Sequence, residues 1–225
     1  MEIVMINIAL DGPAGAGKSW LAKTLAAELG YIHVDTGALY RSIGLYMQRK
    51  GLSLDDRKKF IERLPEITLS LTFNGEKQHV ILCGEDVTDF IRTPEISLYA
   101  SAVSSVPEVR DFLLETQRKL ARENDVIMDG RDIGTVIIPD ADVKIYVTAS
   151  DEVRANRRML ELKEKGIEQS FENVLADMKK RDFQDASRDV APAVAAEDAF
   201  ILDNSELDRE ETLSEALRII KEKIG

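Results

Sequence analysis

Short apolar runs recur along this chain and alternate with longer segments whose apolar residues repeat at helical spacing. The runs are too short for helices and lack strict alternation with polar residues, which favours strands of a parallel sheet covered on both faces. They cover residues 3–10, 31–34, 126–128, 143–147 and 199–202. The helical segments cover residues 20–29, 38–50, 107–123, 151–165, 171–183 and 209–223. This order predicts an α/β fold, a three-layer doubly wound parallel sheet that binds ligands at the carboxyl ends of its strands.

One stretch departs from that pattern. Residues 67–73 and 78–82 alternate apolar with polar side chains, and the sequence NGEK at 74–77 separates them. An Asn-Gly pair between two alternating runs is a strong hairpin signal. The sequence therefore predicts one domain over residues 1–225, with a small α/β insert at 62–104 that contains a β-hairpin.

A glycine-rich segment lies between the first predicted strand and the first predicted helix. Residues 12–19, GPAGAGKS, match the phosphate-loop pattern G-x-x-x-x-G-K-[S/T]. Glycines let successive backbone N–H groups curl around triphosphate oxygens, and the following helix adds its positive N-terminal end. We expect Lys18 to be a mobile point charge for the phosphates and Ser19 to be a ligand of Mg²⁺. The residues predicted to hold ATP are Gly12, Pro13, Ala14, Gly15, Ala16, Gly17, Lys18, Ser19 and Trp20.

This segment has two alternative interpretations, a glycine-rich turn without a ligand and the phosphate loop of a GTPase. The predicted strand before it and the predicted helix after it argue against the first. The sequence contains neither D-x-x-G nor [N/T]-K-x-D, the patterns with which a GTPase would switch and read guanine. Their absence argues against the second.

Two clusters of charged side chains follow predicted strands. After the second apolar run come Thr36, the expected N-cap of the next helix, and Arg41 within that helix. After the third run come Asp129, which resembles a carboxylate that positions Mg²⁺, and Arg131, which suits a phosphate group. The alternatives are a capped helix with a surface arginine, and a strand-end turn with a local ion pair.

Arginines are concentrated in residues 151–189. They include Arg154, Arg157, Arg158, Arg181 and Arg188. The first three share one helix face by their i, i+3, i+4 spacing. Taken alone, they are typical of a solvated helix pair. With a phosphate loop upstream, they predict a lid at 151–189 whose guanidinium groups position the transferred phosphoryl group and stabilise its charge.

The composition limits the possible partners. The net charge is −11 at pH 7, which disfavours binding to nucleic acid or to an anionic membrane surface. No apolar run approaches the ~20 residues of a membrane span, and the single cysteine, Cys83, cannot form an internal disulfide. We therefore expect a cytoplasmic protein that binds small molecules, and neither nucleic acid nor membrane. We also expect it to be a monomer.

Several motifs, in their order along the chain, resemble those of bacterial cytidylate kinases. They are GPAGAGKS (12–19), DTGALYR (35–41), IRTPEIS (91–97), DGRDIGTVIIPDADVKIYV (129–147), RRMLELKEKG (157–166) and RDVAP (188–192). The resemblance covers essentially the whole chain and implies a nucleoside monophosphate kinase fold with an inserted monophosphate-binding subdomain. It also implies transfer of the γ-phosphoryl group of ATP, with Mg²⁺, to CMP or dCMP.

The resemblance implies roles for single residues as well. Those that would act on the transferred phosphoryl group are Lys18, Arg131, Arg157, Arg158 and Arg188. The acceptor phosphate would be held by Arg41, Arg131 and Arg188. Cytosine would be read by Thr36, Arg110 and Asp132. The pentose would face Ser101, Arg181 and Asp185, and Asp129 would belong to the same substrate site.

Two positions depart from the family pattern, since Thr36 stands where some members have Ser and Trp20 stands where Thr is usual. Neither departure removes a charge or a donor that the mechanism requires. The alternatives are a related phosphate-loop kinase for UMP, AMP or another small acceptor such as shikimate, and a module that binds ATP without turnover. Arg110, Asp132 and the insert argue against the first alternative.

Overall fold

A computed structural model describes residues 5–75, 77–164 and 166–225 of the chain. The chain divides into two compact units. Among the described residues, the middle unit consists of Met5 and Ile32–Val126, and the phosphate-loop unit consists of Ile6–Tyr31 and Ile127–Gly225. The predicted insert at 62–104 falls within the residue range of the middle unit, and its boundaries stay a prediction.

Strands and helices alternate along most of the chain. The strands are β1 (Asn7–Asp11), β2 (Ile32–Asp35), β3 (Leu69–Asn74), β4 (Lys77–Leu82), β5 (Glu85–Asp86), β6 (Val126–Asp129), β7 (Val143–Thr148) and β8 (Phe200–Asp203). The helices are α1 (Lys18–Leu29), α2 (Thr36–Arg49), α3 (Arg57–Arg63), α4 (Pro94–Ser104), α5 (Pro107–Glu123), α6 (Asp151–Glu164), α7 (Phe171–Ala186) and α8 (Arg209–Ile224). Short helical turns lie at Leu64–Glu66, of the 3₁₀ type, and at Ile133–Ile137, of the π type.

A parallel sheet with the strand order β2-β6-β1-β7-β8 is the larger of the two sheets. In its register, Asp11 at the end of β1 lies opposite Tyr146 of β7, and Thr148 lies opposite Asp203 at the end of β8. The strand order departs from the chain order, so crossover connections are required, and helices supply them. This confirms the predicted α/β fold with a doubly wound parallel sheet.

β3, β4 and β5 form a separate antiparallel sheet. β3 and β4 pair from Leu69 with Leu82 to Asn74 with Lys77, which confirms the hairpin predicted from the alternating pattern. Along β3, half-buried and exposed side chains alternate, as the period of a strand with one covered face requires. Glu76, within the predicted turn, lies outside the described residues.

The strands and helices predicted from periodicity are present. The largest difference in an element boundary concerns the first strand, which was predicted from residue 3 and begins at Asn7. Residues 3 and 4 lie outside the described residues, and so does Lys165 at the end of a predicted helix. Helix α3 and strand β5 are additions to the prediction, and so is helix α4. It begins with Pro94 after Thr93, whose hydroxyl accepts a hydrogen bond from the N–H of Ile96 at 3.2 Å.

Each unit has its own hydrophobic core. In the phosphate-loop unit, β1 and α1 contribute fully buried side chains, and these include Ile8, Leu10, Leu21 and Leu25. A smaller cluster joins α6 to α7 through Ala155, Leu162, Val174 and Met178, and Ala14 of the loop after β1 packs against it. This packing brings α6 and α7 against the predicted phosphate loop. No helix in the described part of the chain combines the length and apolar character needed to cross a membrane.

Candidate active site

The loop at residues 12–17 joins β1 to α1, and its glycines adopt conformations that other residues rarely reach. Gly12 has a φ of 140°, and a Cβ there would lie 2.0 Å from the carbonyl oxygen of Val147. Gly17, with a φ of 87°, is the N-cap residue of α1 and has no side chain that could cap the first-turn N–H groups. The start of α1 therefore offers N–H groups and a positive helix end to an anion, as the motif predicts.

Lys18 is buried beside this loop rather than mobile as we expected from the sequence. Its side-chain ammonium donates a hydrogen bond to the carbonyl oxygen of Pro13 at 2.7 Å. Burial and the nearby guanidinium of Arg131 hold the pKa of Lys18 well below its usual value, although Asp129 and Asp11 oppose the shift. The ammonium is thus held in place by the loop, and loss of hydration is the main cause that lowers its pKa.

Ser19 and Asp129 form an oxygen pair at the carboxyl end of β6. The Ser19 hydroxyl donates to the Asp129 carboxylate at 2.7 Å, and Asp129 is buried. Hydroxyl and carboxylate oxygens are ligands that Mg²⁺ prefers, and Mg²⁺ is usually held by one or two such groups together with substrate phosphates. The pair therefore fits Mg²⁺. The described residues contain no group of three or more His, Cys, Asp or Glu side chains arranged to hold a metal without a substrate.

Asp11, the last residue of β1, fixes the segment that carries two predicted site residues. Its carboxylate accepts hydrogen bonds from the backbone N–H groups of Ile133 at 2.8 Å and of Gly134 at 2.7 Å. These bonds anchor the π-helical turn that begins directly after Arg131 and Asp132. Burial raises the pKa of Asp11 to about 6, against the effect of the two N–H groups. In the sequence, Asp11 stands out only as the residue that follows the first apolar run.

Three predicted substrate residues lie together in the phosphate-loop unit. The Arg131 Nε donates to the Asp185 carboxylate at 3.3 Å, and the Arg188 Nε donates to the Asp185 carbonyl oxygen at 3.2 Å. Asp132 beside them is buried, whereas Arg181, one turn before Asp185 on α7, is exposed. Asp185 therefore holds both arginines: Arg131 by its carboxylate, and Arg188 by its carbonyl oxygen and, at 3.9 Å, by its carboxylate as well.

The three arginines of α6 have different partners despite their shared spacing. Arg154 is buried, and its guanidinium donates to the carbonyl oxygens of Ala14 at 3.0 Å and of Ala149 at 3.1 Å. The same guanidinium pairs with two carboxylates, those of Asp151 and Asp182. Arg154 thus ties α6 and α7 to the phosphate loop, a role that helical spacing alone does not indicate.

Arg157 and Arg158 point to different surroundings. Arg157 donates to the Asn204 side-chain oxygen at 2.9 Å, and the Asn204 amide donates to the Ala16 carbonyl oxygen at 3.0 Å. Arg158 instead pairs with Glu161 at 3.0 Å on the surface. Asn204 follows β8 and is buried, and it connects Arg157 to the phosphate loop. The sequence signal for it is a polar residue just after a predicted strand, which we did not consider.

In the middle unit, Asp35 rather than Thr36 is the N-cap of α2, so the predicted cap was wrong. The Asp35 carboxylate accepts a hydrogen bond from the N–H of Ala38 at 3.1 Å, while Thr36 is the first residue of the helix. The cap falls on Asp35 because its backbone is still extended and its short carboxylate reaches the first turn. The same carboxylate accepts from the Arg41 guanidinium at 2.7 Å and from Arg92 at 3.0 Å.

Two other predicted substrate residues of the middle unit lie on α4 and α5. Arg110 is buried, donates to the Ser104 carbonyl oxygen at 3.2 Å and lies over the Tyr40 ring at 5.4 Å. Ser101 is half-buried on α4.

In the phosphate-loop unit, Trp20 is half-buried, with the Arg209 guanidinium 5.4 Å from its ring.

Known proteins resemble the chain over nearly its whole length. The family model for cytidylate kinase matches residues 8–222. A cytidylate kinase of Caldicellulosiruptor bescii is 50% identical over 214 residues, which make up 95% of this chain and 95% of that protein. One of Geobacter sulfurreducens is 46% identical over 216 residues, or 96% of this chain and 93% of that protein. The chain belongs to the cytidylate kinase family. Its membership confirms the family predicted from the motifs and the enzyme class, a nucleoside monophosphate kinase.

A solved structure shares the fold of this cytidylate kinase family member. An uncharacterized protein from Eubacterium ventriosum superimposes with a TM-score of 0.54 at 14% identity, covering 97% of this chain and 99% of that one. At this identity the likeness concerns the fold alone. The roles of single residues in the cytidylate kinase reaction therefore remain predictions, and their positions and contacts are those given above.

Proposed function

We propose that this chain transfers the γ-phosphoryl group of ATP to CMP or dCMP, which yields ADP and CDP or dCDP. One observation carries the proposal. In a member of the cytidylate kinase family, the phosphate loop holds the buried ammonium of Lys18 beside the Ser19–Asp129 oxygen pair. A cation and two hard oxygen ligands at a helix N-terminus are suited to a triphosphate.

ATP is proposed to bind along residues 12–19, with Lys18 near the β- and γ-phosphates. Phosphate charges would offset the loss of hydration at Lys18, because a nearby anion favours the protonated ammonium. Ser19 and Asp129 would hold Mg²⁺. Bound there, Mg²⁺ would neutralise negative charge on the phosphates. The backbone N–H groups at the start of α1 orient the transferred group.

Acceptor binding is proposed to depend on Arg41, Arg131 and Arg188. A phosphate oxygen of CMP attacks the γ-phosphorus as the bond to the ADP oxygen breaks. The attacking group is already an anion, so no strong general base is required. Arginine suits this task because its planar guanidinium can bind a phosphate through two N–H groups. In the phosphate-loop unit, Asp185 keeps Arg131 oriented through the 3.3 Å hydrogen bond to its Nε.

Cytosine recognition is proposed for Asp132 and Arg110, with Thr36, and pentose recognition for Ser101, Arg181 and Asp185. Asp132 and Arg110 are buried, so an incorrect base would leave polar atoms unpaired. Residues 151–189 are proposed as the lid that excludes water, which could otherwise accept the phosphoryl group. Arg157 and Arg158 are its proposed phosphate-binding arginines.

The proposal is tested by measuring ADP release with CMP, dCMP, UMP, AMP and shikimate in parallel. We expect release that depends on CMP or dCMP and is much slower with the other acceptors. Preference for UMP, AMP or shikimate would assign a different kinase. Tight ATP binding without ADP release under any condition would instead indicate a binding module. Chelation of divalent cations should abolish turnover if the Ser19–Asp129 pair acts as proposed.

A further inference from the structure

We propose that Arg92 binds the phosphate of the acceptor nucleotide together with Arg41, at an anion site organised by Asp35. This inference rests on the proposed function. Arg92 was not among the predicted site residues, because the motif around it was noticed only as part of the family resemblance. The structure places its guanidinium on the carboxylate that also holds Arg41.

The position of Asp35 is strongly determined. One carboxylate oxygen caps α2 through the N–H of Ala38 at 3.1 Å. On the backbone, the Asp35 N–H donates to the Gln78 side-chain oxygen at 2.9 Å, and the Gln78 amide donates to the Asp35 carbonyl oxygen at 3.3 Å. With its backbone and one oxygen fixed, Asp35 presents its second oxygen in a defined direction.

Both guanidinium groups converge on that second oxygen. Arg41 reaches it at 2.7 Å from α2, and Arg92 reaches it at 3.0 Å from the segment before α4. One carboxylate balances only one of the two positive charges, which leaves a net charge of about +1 at the cluster. Two guanidinium groups held close together are the arrangement that binds a phosphate dianion most directly.

Donor capacity remains at the cluster. A guanidinium has five N–H donors, and the Arg41 Nε is buried and has no hydrogen-bond partner within the described residues. The Arg92 side chain is 61% exposed, so a ligand can reach it. A Cβ at position 37 would lie 3.1 Å from the Arg41 guanidinium, and Gly37 keeps that side of the cluster open. The excess positive charge, the Arg41 donor without an acceptor and the accessible Arg92 together indicate a site that binds an anion.

A structural ion pair is the competing explanation for Arg92. The Arg92 side chain is largely exposed, so water already solvates its guanidinium, and its pair with the buried Asp35 carboxylate stabilises the fold only modestly. A structural role predicts a change in thermal stability and equal effects on all substrates. A phosphate-binding role predicts an effect on CMP alone, and only through its phosphate.

The experiment compares Arg92→Met and Arg92→Lys with the wild type, and uses Arg49→Met as the matched control. Arg49 is an exposed arginine of the same unit that pairs with Glu85, outside the proposed site. The readouts are the KM for CMP, the KM for ATP, the inhibition constant of cytidine, which lacks the phosphate, and the melting temperature.

For Arg92→Met we expect the KM for CMP to rise by about 10-fold or more, the scale of a charge-assisted hydrogen bond to phosphate. The KM for ATP and the inhibition constant of cytidine should change by less than about twofold, and Arg92→Lys should recover only part of the loss. Arg49→Met should match the wild type. Equal weakening of CMP and cytidine, or an unchanged KM for CMP, would overturn the assignment. A wild-type protein without CMP-dependent ADP release would instead refute the proposed function, so the two failures are distinguishable.

Discussion

Lys18 is a side chain of this site whose surroundings suit the binding of a phosphate more than the stability of the fold. Its ammonium is buried, and burial together with Arg131 holds its pKa well below the usual value. Burial therefore disfavours the charged form, and a bound anion would favour it. We therefore expect Lys18 to matter more for phosphate binding than for stability.

We expect Lys18→Met to lower kcat by ~10³-fold or more, the scale of a removed transition-state charge contact. The free energy of unfolding should change by less than about 1 kcal/mol, since Met fills similar space and only one hydrogen bond, to Pro13, is lost. Coupled kinetics and urea unfolding measure the two effects. Turnover within tenfold of the wild type would contradict the role proposed for the loop.

Asp132 supports a prediction about base choice. Cytosine presents an amine donor where uracil presents a carbonyl acceptor, and a carboxylate can only accept. We expect Asp132→Asn to shrink the CMP/UMP ratio of kcat/KM by ~10-fold or more, which is about 1.4 kcal/mol of discrimination. Both substrates are measured on both proteins at saturating ATP. If CMP and UMP slow by the same factor, Asp132 does not read the base and instead orients its neighbours.

At the scale of elements, α6 and α7 depend on Arg154 for their position against the phosphate loop. Its guanidinium binds carbonyl oxygens of Ala14 and Ala149 as well as the carboxylates of Asp151 and Asp182. The apolar cluster between the two helices adds packing, but apolar packing is not directional. The hydrogen bonds of Arg154 therefore specify which part of each helix faces the loop.

We expect Arg154→Met to lower the free energy of unfolding by about 3 kcal/mol, because it leaves partly buried carboxylates and loop carbonyls without their donor. Arg158→Met on the same helix is the matched control. Its pair with Glu161 is on the surface, so the expected change is below about 0.5 kcal/mol. Urea unfolding of both variants checks the difference, and equal losses would show that Arg154 has no special role in anchoring the helices.

At the scale of the whole molecule, the burial of Asp11 links stability to pH. Burial raises its pKa from the usual 3.8 to about 6, so the folded chain binds this proton more tightly than the unfolded chain does. Between about pH 4 and about pH 6 the folded state binds more protons than the unfolded state, so the free energy of unfolding falls as the pH rises. The total for a shift of this size is about 3 kcal/mol.

We expect the Asp11→Asn variant to lack this fall in unfolding free energy with rising pH. The unfolding free energy of the wild type minus that of the variant should fall by about 3 kcal/mol from pH 4 to pH 7. The prediction concerns this change with pH and not the size of the difference at any one pH. Asp140→Asn removes an exposed carboxylate of the same unit and should run parallel to the wild type. Denaturant unfolding across this pH range gives the curves. A constant difference between wild type and Asp11→Asn would contradict the prediction.

The sequence by itself determined the features that depend on neighbouring residues. Apolar periodicity predicted the strands and helices, and Asn-Gly between alternating runs predicted the β3–β4 hairpin, because each pattern reports one local backbone geometry. The phosphate loop was equally visible, since its glycines and Lys18 are consecutive. Family membership followed from motifs of this local kind.

Only the tertiary structure decided which polar groups meet. Helical spacing placed Arg154 and Arg158 on one face, yet the first is buried against the loop and the second is on the surface. Arg41 was predicted as a phosphate ligand, but its convergence with Arg92 on Asp35 joins residues from separate segments. A local pattern shows which side of an element is covered. It does not show which donors and acceptors the rest of the chain brings to that side, because their positions depend on how distant segments pack together.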